Sequence, residues 1–217
     1  MVVIEGHIMI AAEVQIALVS TPGAEFFFGR SLNRFLEFYD NHYKRILDEQ
    51  TGREFNINVV AHSVVDVLSK HQSTDPALSS FYHYDPTRCL AETLGSLDHY
   101  LMFVRESVFE EVRESSFPHL PSRHRCIWLI PNNLNALKYW RSLLGGKQQV
   151  YQVRVTGKIH KASQEYLSLG TYSLNQLRQR AFRYWSGARN ADAEQDEILC
   201  EGFVKVVDAI NHQAAAS

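Results

Sequence analysis

Two features of this chain have the residue types that chemistry needs. One is a carboxylate, Glu197, that opens a strand-like run late in the sequence. The other is an aromatic pair, Tyr139-Trp140, on the helix of a strand–helix–strand stretch that precedes it. Thiol and metal chemistry are less well served. Cys89, Cys126 and Cys200 are widely spaced, and two of them sit in apolar strand-like runs, so they read as reduced core residues. No CxxC or HExxH spacing occurs and the ten histidines are scattered, which argues against a bound metal. With 22 basic against 24 acidic residues there is no global electrostatic signature of nucleic-acid binding, although a local basic face stays open.

The elements that must position these residues are legible around them. Residues 125–130 form a short apolar run of strand length. Pro131-Asn132-Asn133 breaks it and offers an asparagine cap to a helix carrying Leu134, Leu137, Lys138, Tyr139 and Trp140. Gly145-Gly146 ends that helix. Residues 150–159 then alternate, with Tyr151, Val153, Val155 and Ile159 on one face and Gln152, Arg154 and Lys158 on the other. Ser173 caps a further helix with Leu174, Leu177, Ala181, Phe182 and Trp185 inward, ending at Gly187. A polar loop over 189–196 leads into a strand over 197–207, bent or bulged at Gly202.

Upstream, spacings of three and four predict a helix from Ser31 to about Asp48. Residues 58–70 form a second helix, with strand as the alternative, and 71–86 a long surface connection. The longest helix runs over about 87–115. Its stripe of Leu90, Leu94, Leu97, Leu101, Val104, Val108 and Val112 reads as intramolecular core, and its far face, with Glu106, Glu110, Glu111, Arg113 and Glu114, as solvated. Pro118 and Pro121 stop it. The apolar opening is interrupted by Glu5, His7, Glu13 and Gln15. It reads as a pair of buried strands rather than a signal peptide or membrane span. The sequence thus predicts an α+β fold in one elaborated domain over 1–217. Its part over 30–120 is mainly helical, and its α/β core over 121–210 draws in strands from 1–20. A cytoplasmic location without membrane attachment is expected.

The order of CIWLIPNNLNALKYW, VYQVRVTGKIH, the Tyr184-Trp185-Ser186-Gly187 helix end and DEILCEG resembles the ADP-ribosyltransferase-like fold. It is similar in layout to the small rifampicin-modifying ADP-ribosyltransferases and the RNA 2′-phosphotransferases. It looks closest to an uncharacterised bacterial domain family with PSR, ALKYW, VTG, YWSG, EIL and EG motifs. The resemblance covers about residues 117–207. It implies a split β-sandwich, two small sheets packed around a cleft for NAD+ as substrate, with no metal. Breaking the nicotinamide–ribose bond develops positive charge on the ribose, which a nearby carboxylate stabilises.

Carried over onto this sequence, the resemblance makes Glu197 the catalytic carboxylate, with Glu201 as its rival. Tyr139 or Trp140 stacks on the nicotinamide. Ser122, Arg123 and Arg125 lie where NAD would be touched, and His7 stands at the first-strand position, with Arg30 as the alternative. Transfer of ADP-ribose to a protein or nucleic-acid acceptor is the implied activity. The implied setting is a bacterial toxin–antitoxin or antiphage system, with an antitoxin or other inhibitory protein as partner. Two other functions fit the residues. One is a non-catalytic adaptor that docks a partner on the long helix. The other is NAD-dependent removal of an RNA 2′-phosphate, served by Arg123, Arg125, Arg154, Lys158, Lys161 and Arg183.

Overall fold

A computed structural model describes residues 2–10, 22–33, 36, 45–47, 54–56, 86–143, 150–170, 172–189 and 193–210. In chain order the elements are β1 (Val2–Ile10), β2 (Glu25–Phe28), β3 (Arg45–Leu47), β4 (Glu54–Asn56), α1 (Pro86–Ser116), β5 (Ile127–Leu129), α2 (Leu134–Leu143), β6 (Val150–Ser163), a 3-10 turn (Gln164–Leu167), α3 (Leu174–Trp185), a second 3-10 turn (Ala193–Gln195) and β7 (Asp196–Ile210). The chain divides into two compact units, Met1–Glu37 with Arg105–Ser217, and Phe38–Val104. No described helix is long and apolar enough to cross a membrane.

In the smaller unit β3 pairs antiparallel with β4, Ile46 opposite Phe55. The helix expected from Ser31 to Asp48 therefore does not reach its end, because residues 45–47 are strand. Their apolar spacing suits either element, and cross-strand pairing decides it. The expectations for 58–70 and 71–85 lie outside the described residues. The first half of α1 also departs from its sequence reading. Leu94, Leu97 and Val104 of the stripe are exposed, as are Tyr100 and Phe103.

The larger unit is built on one antiparallel sheet, ordered β1-β6-β7-β2, with β5 sharing the β7 edge beside β2. β5 takes Ile198 to Cys200 of β7, and β2 takes Gly202 to Lys205. β1 and β5 flank the β6–β7 pair from opposite sides yet come into contact, so the sheet curls. Inside the curl lie Ile127, Leu129, Tyr151, Val153, Val155, Ile198, Cys200, Val204 and Val206. The alternation of β7 sends Glu197, Leu199, Glu201, Phe203 and Lys205 to the other face. One end of that face is roofed by α1 and α3 through Phe109, Val112, Ala181, Tyr184 and Trp185, which pack with Leu199. Trp185 ties the two helices by donating its indole N–H to the Phe109 carbonyl at 2.7 Å.

Local chemistry sets the helix ends. Asn133 Oδ1 accepts from the Ala136 N–H at 2.7 Å and starts α2. Ser173 and Gln176 form a capping box at α3, and Gly187, at φ +71°, closes it. α3 buries Leu177, Ala181, Tyr184 and Trp185, whereas Leu174 and Phe182, read as inward, are exposed. Gly202 has φ +153°, but the β6–β7 register runs through it unbroken, and the irregularity lies between Gln152 and Val153. Gly202 does not bulge the strand; it lets two backbones meet. Its cross-strand partner is Gly157, and a Cβ on Gly157 would stand 2.2 Å from the Glu201 carbonyl oxygen.

Candidate active site

The roofed end of the sheet holds a buried charge network centred on Arg123. The turn that carries it is fixed by its own backbone, with the Arg125 and Cys126 N–H groups donating to the Ser122 carbonyl at 3.2 and 2.9 Å. Asn33 clamps the same turn from far upstream. Its Nδ2 donates to the Arg123 carbonyl at 2.6 Å, and its N–H to the His124 carbonyl at 2.8 Å. The guanidinium then points inward, 4 % exposed, between two carboxylates from different elements.

Glu106 on α1, 1 % exposed, is the first carboxylate, receiving Arg123 Nε at 2.7 Å. Arg105 also reaches it, Nη2 donating to Oε1 at 2.8 Å, and gives Nη1 to the Leu167 carbonyl. Glu197, 5 % exposed, is the second, and its Oε1 accepts from Arg123 Nη1 and from the Tyr184 hydroxyl. Arg123 Nη1 also donates to the Tyr184 hydroxyl oxygen at 2.6 Å. Two guanidiniums thus balance two carboxylates in a largely buried space, where pairing outweighs desolvation only with such hydrogen bonding.

Burial pushes the Glu106 carboxyl up, but Arg123 and Arg105 overcome it and hold it below the usual carboxylate value. Burial opposes the charge on Arg123, and Glu106 and Glu197 reverse this, raising it further above its ordinary range. Tyr184 is driven well above the usual phenol value by burial, against the pull of Arg123, so it remains a donor to Glu197. Burial lowers His160, whose Nε2–H donates to the Tyr184 carbonyl at 3.0 Å and whose ring lies 5.3 Å from Trp185. Cys126 and Cys200 are buried free thiols; burial pushes Cys126 well up and Cys200 up to about 12. Neither is set up as a nucleophile.

The residues singled out from sequence fall into two groups. Glu197, Arg123 and Ser122 gather at the network, Ser122 being buried with its hydroxyl accepting from the His124 N–H at 3.1 Å. Tyr139 lies at the same end of the sheet. Its hydroxyl donates at 3.1 Å to Gln164, which follows the Ser163–Asp196 strand pair. Trp140 packs on Ile130, Leu137 and Val150, and meets Tyr139 edge-on at 5.8 Å. The others stand elsewhere. Arg125 is exposed. His7 lies on β1 opposite Val153, far along β6 from Ala162, the partner of Glu197. Glu201 faces Lys158 at 3.7 Å, and Arg30 lies over the Phe27 ring.

Sequence reasoning missed Glu106, Tyr184, Arg105 and Asn33. The solvated face expected on the long helix holds for Glu111 and Glu114, which are exposed, and fails for Glu106, Glu110 and Arg113, which are buried. The available signal was Phe109, which the heptad stripe left out. Its i−3 and i+4 neighbours on a helix are Glu106 and Arg113, so a buried Phe109 draws both inward.

The fold and site define the class first: an α+β protein with a curled antiparallel sheet and a buried carboxylate network under its helical roof. The chain belongs to the family described as protein of unknown function (DUF2441), whose pattern matches residues 12–212. No curated protein matches it.

Proposed function

We propose that this protein is an ADP-ribosyltransferase that moves ADP-ribose from NAD+ to a macromolecular acceptor. The observation that carries the reading is the posture of Glu197. Arg123 and Tyr184 both hold Oε1, and among the described residues no bond falls on Oε2. A carboxylate fixed through one oxygen keeps the other for a ribose hydroxyl and for the positive charge that develops as the C1′–nicotinamide bond breaks. Nicotinamide leaves as a neutral base with the bonding pair, and an acceptor nucleophile forms the new bond at C1′, losing its proton to solvent. A curled sheet with opposed strands is compatible with the split sandwich that the motif order resembles, and Tyr139 is near enough to that sheet end to meet the leaving ring.

Nicotinamide release from NAD+ in the presence of cell extract tests this. Glu197→Gln should lower it by about 100-fold or more while the variant still melts cooperatively. Release that survives the substitution overturns the site. Failure of millimolar NAD+ to raise the Tm of the unaltered protein overturns the function.

The exposed Leu94, Leu97, Tyr100 and Phe103 favour a second reading, a non-catalytic adaptor that docks a partner on α1. Capture of a partner that Leu97→Asp abolishes, in a protein that does not respond to NAD+, would favour it.

A further inference from the structure

We propose that Arg141, in the last turn of α2, binds a phosphate group of a small-molecule ligand. Its Nε and Nη2 are shut off from solvent, and among the described residues nothing accepts a hydrogen bond from either. Arg113 and Arg123, which are buried outright, each meet carboxylates. A buried donor left without an acceptor costs free energy, and more so when it carries charge. The Trp140 indole N–H, from the preceding residue, is another buried donor in the same condition. The end of α2 is thus short of acceptor oxygens.

Groups of the chain close to it do not supply them. The helix dipole favours a cation at this end of α2, but it gives Nε and Nη2 no oxygen. α2 packs against the Ala193–Gln195 turn, whose Glu194 is exposed and leaves both nitrogens unpaired. Just beyond that turn Asp196 is taken by Lys161 at 2.9 Å and Glu197 by Arg123. Lys138, one turn earlier on α2, is exposed and adds a second cation.

The donor pattern chooses the ligand. Nε and Nη2 form one edge of the guanidinium fork, whose parallel N–H bonds match two oxygens of an oxyanion. A carboxylate has only those two oxygens, whereas a phosphate keeps others for further donors. The fork lies under the surface while the rest of Arg141 is partly exposed, so rotation about the side-chain stem brings it to an anion. The Ala193–Gln195 turn leads straight into β7, so a phosphate held there lies beside the start of the strand that carries Glu197.

Thermal melting of the whole chain without NAD+, at constant ionic strength, tests it. Inorganic pyrophosphate at about 10 mM should raise Tm, orthophosphate should raise it less, and acetate should leave it unchanged. Arg141→Met should raise Tm in anion-free buffer, because it removes an unpaired buried charge, and should abolish the pyrophosphate response. Arg141→Lys keeps the charge without the fork and should weaken pyrophosphate binding about tenfold. No rise in the unaltered protein, a rise that Arg141→Met retains, or an equal rise with acetate overturns the inference. So does a lower Tm of Arg141→Met in anion-free buffer, which would mean that Arg141 has a partner within the chain. A pyrophosphate response without an NAD+ response keeps this site and removes the ADP-ribosyl reading; where that reading also holds, the pyrophosphate of NAD+ is the group held.

Discussion

Glu106 and Glu111 are neighbours on one helix with opposite fates, and position rather than residue type separates them. Glu111 meets Arg178 at 3.2 Å with both side chains about half exposed, a pairing of small net worth. Glu106 is sealed against Arg123 and Arg105. Glu106→Gln should therefore cost about 3–5 kcal/mol in chemical denaturation, because it leaves two guanidiniums with one carboxylate, Glu197, in a buried network. Glu111→Gln should shift stability by less than about 0.5 kcal/mol. Equal effects would mean that the network is open to water. The sequence could not show this contrast, since the partner that buries Glu106 is in a different part of the chain. Glu197 and Arg123 were legible as individual positions, each beside a strand. What joins them is Tyr184, known beforehand only as part of a helix-end motif.

At the scale of elements, local signals read through and long-range ones did not. The asparagine cap of α2 and the Ser173 cap of α3 with Gly187 were visible in sequence because each is a bond between near neighbours. The strands at 45–47 and 54–56 were not, since each needs the other to exist. Gly202 was noticed, but its partner was not, and that partner changes its meaning from bulge to close approach. Gly157→Ala should cost about 1–3 kcal/mol, since the added Cβ runs into backbone that cannot rotate away. Gly23→Ala, at φ +93° with open space around it, should cost about 1 kcal/mol from backbone strain alone. Denaturant midpoints of the two variants compare these causes directly.

At the scale of the molecule, acid should act in two stages. His160 is lowered by burial, so the unfolded chain takes up its proton before the native state does. Stability must fall as pH drops below about 6.5. Glu106 is also lowered, and its contribution, present above the ordinary carboxylate value of 4.5, is lost as pH falls through its lower native value. Tm measured from pH 7 down to about 2 should show both declines, one setting in below about 6.5 and the other below about 4.5. His160→Gln, which keeps a donor for the Tyr184 carbonyl, should remove the His160 part of the upper one; an unchanged upper decline would assign it to another group.

The boundaries between the two units, at 37/38 and 104/105, have no compositional signature in the sequence. Yet both crossings are anchored. Before the chain leaves for residues 38–104 it passes Asn33, which grips the backbone of Arg123 and His124. It re-enters at Arg105, which grips Glu106 and the Leu167 carbonyl. The larger unit thus fastens its own chain, on either side of residues 38–104, to the turn and the carboxylate that hold Arg123.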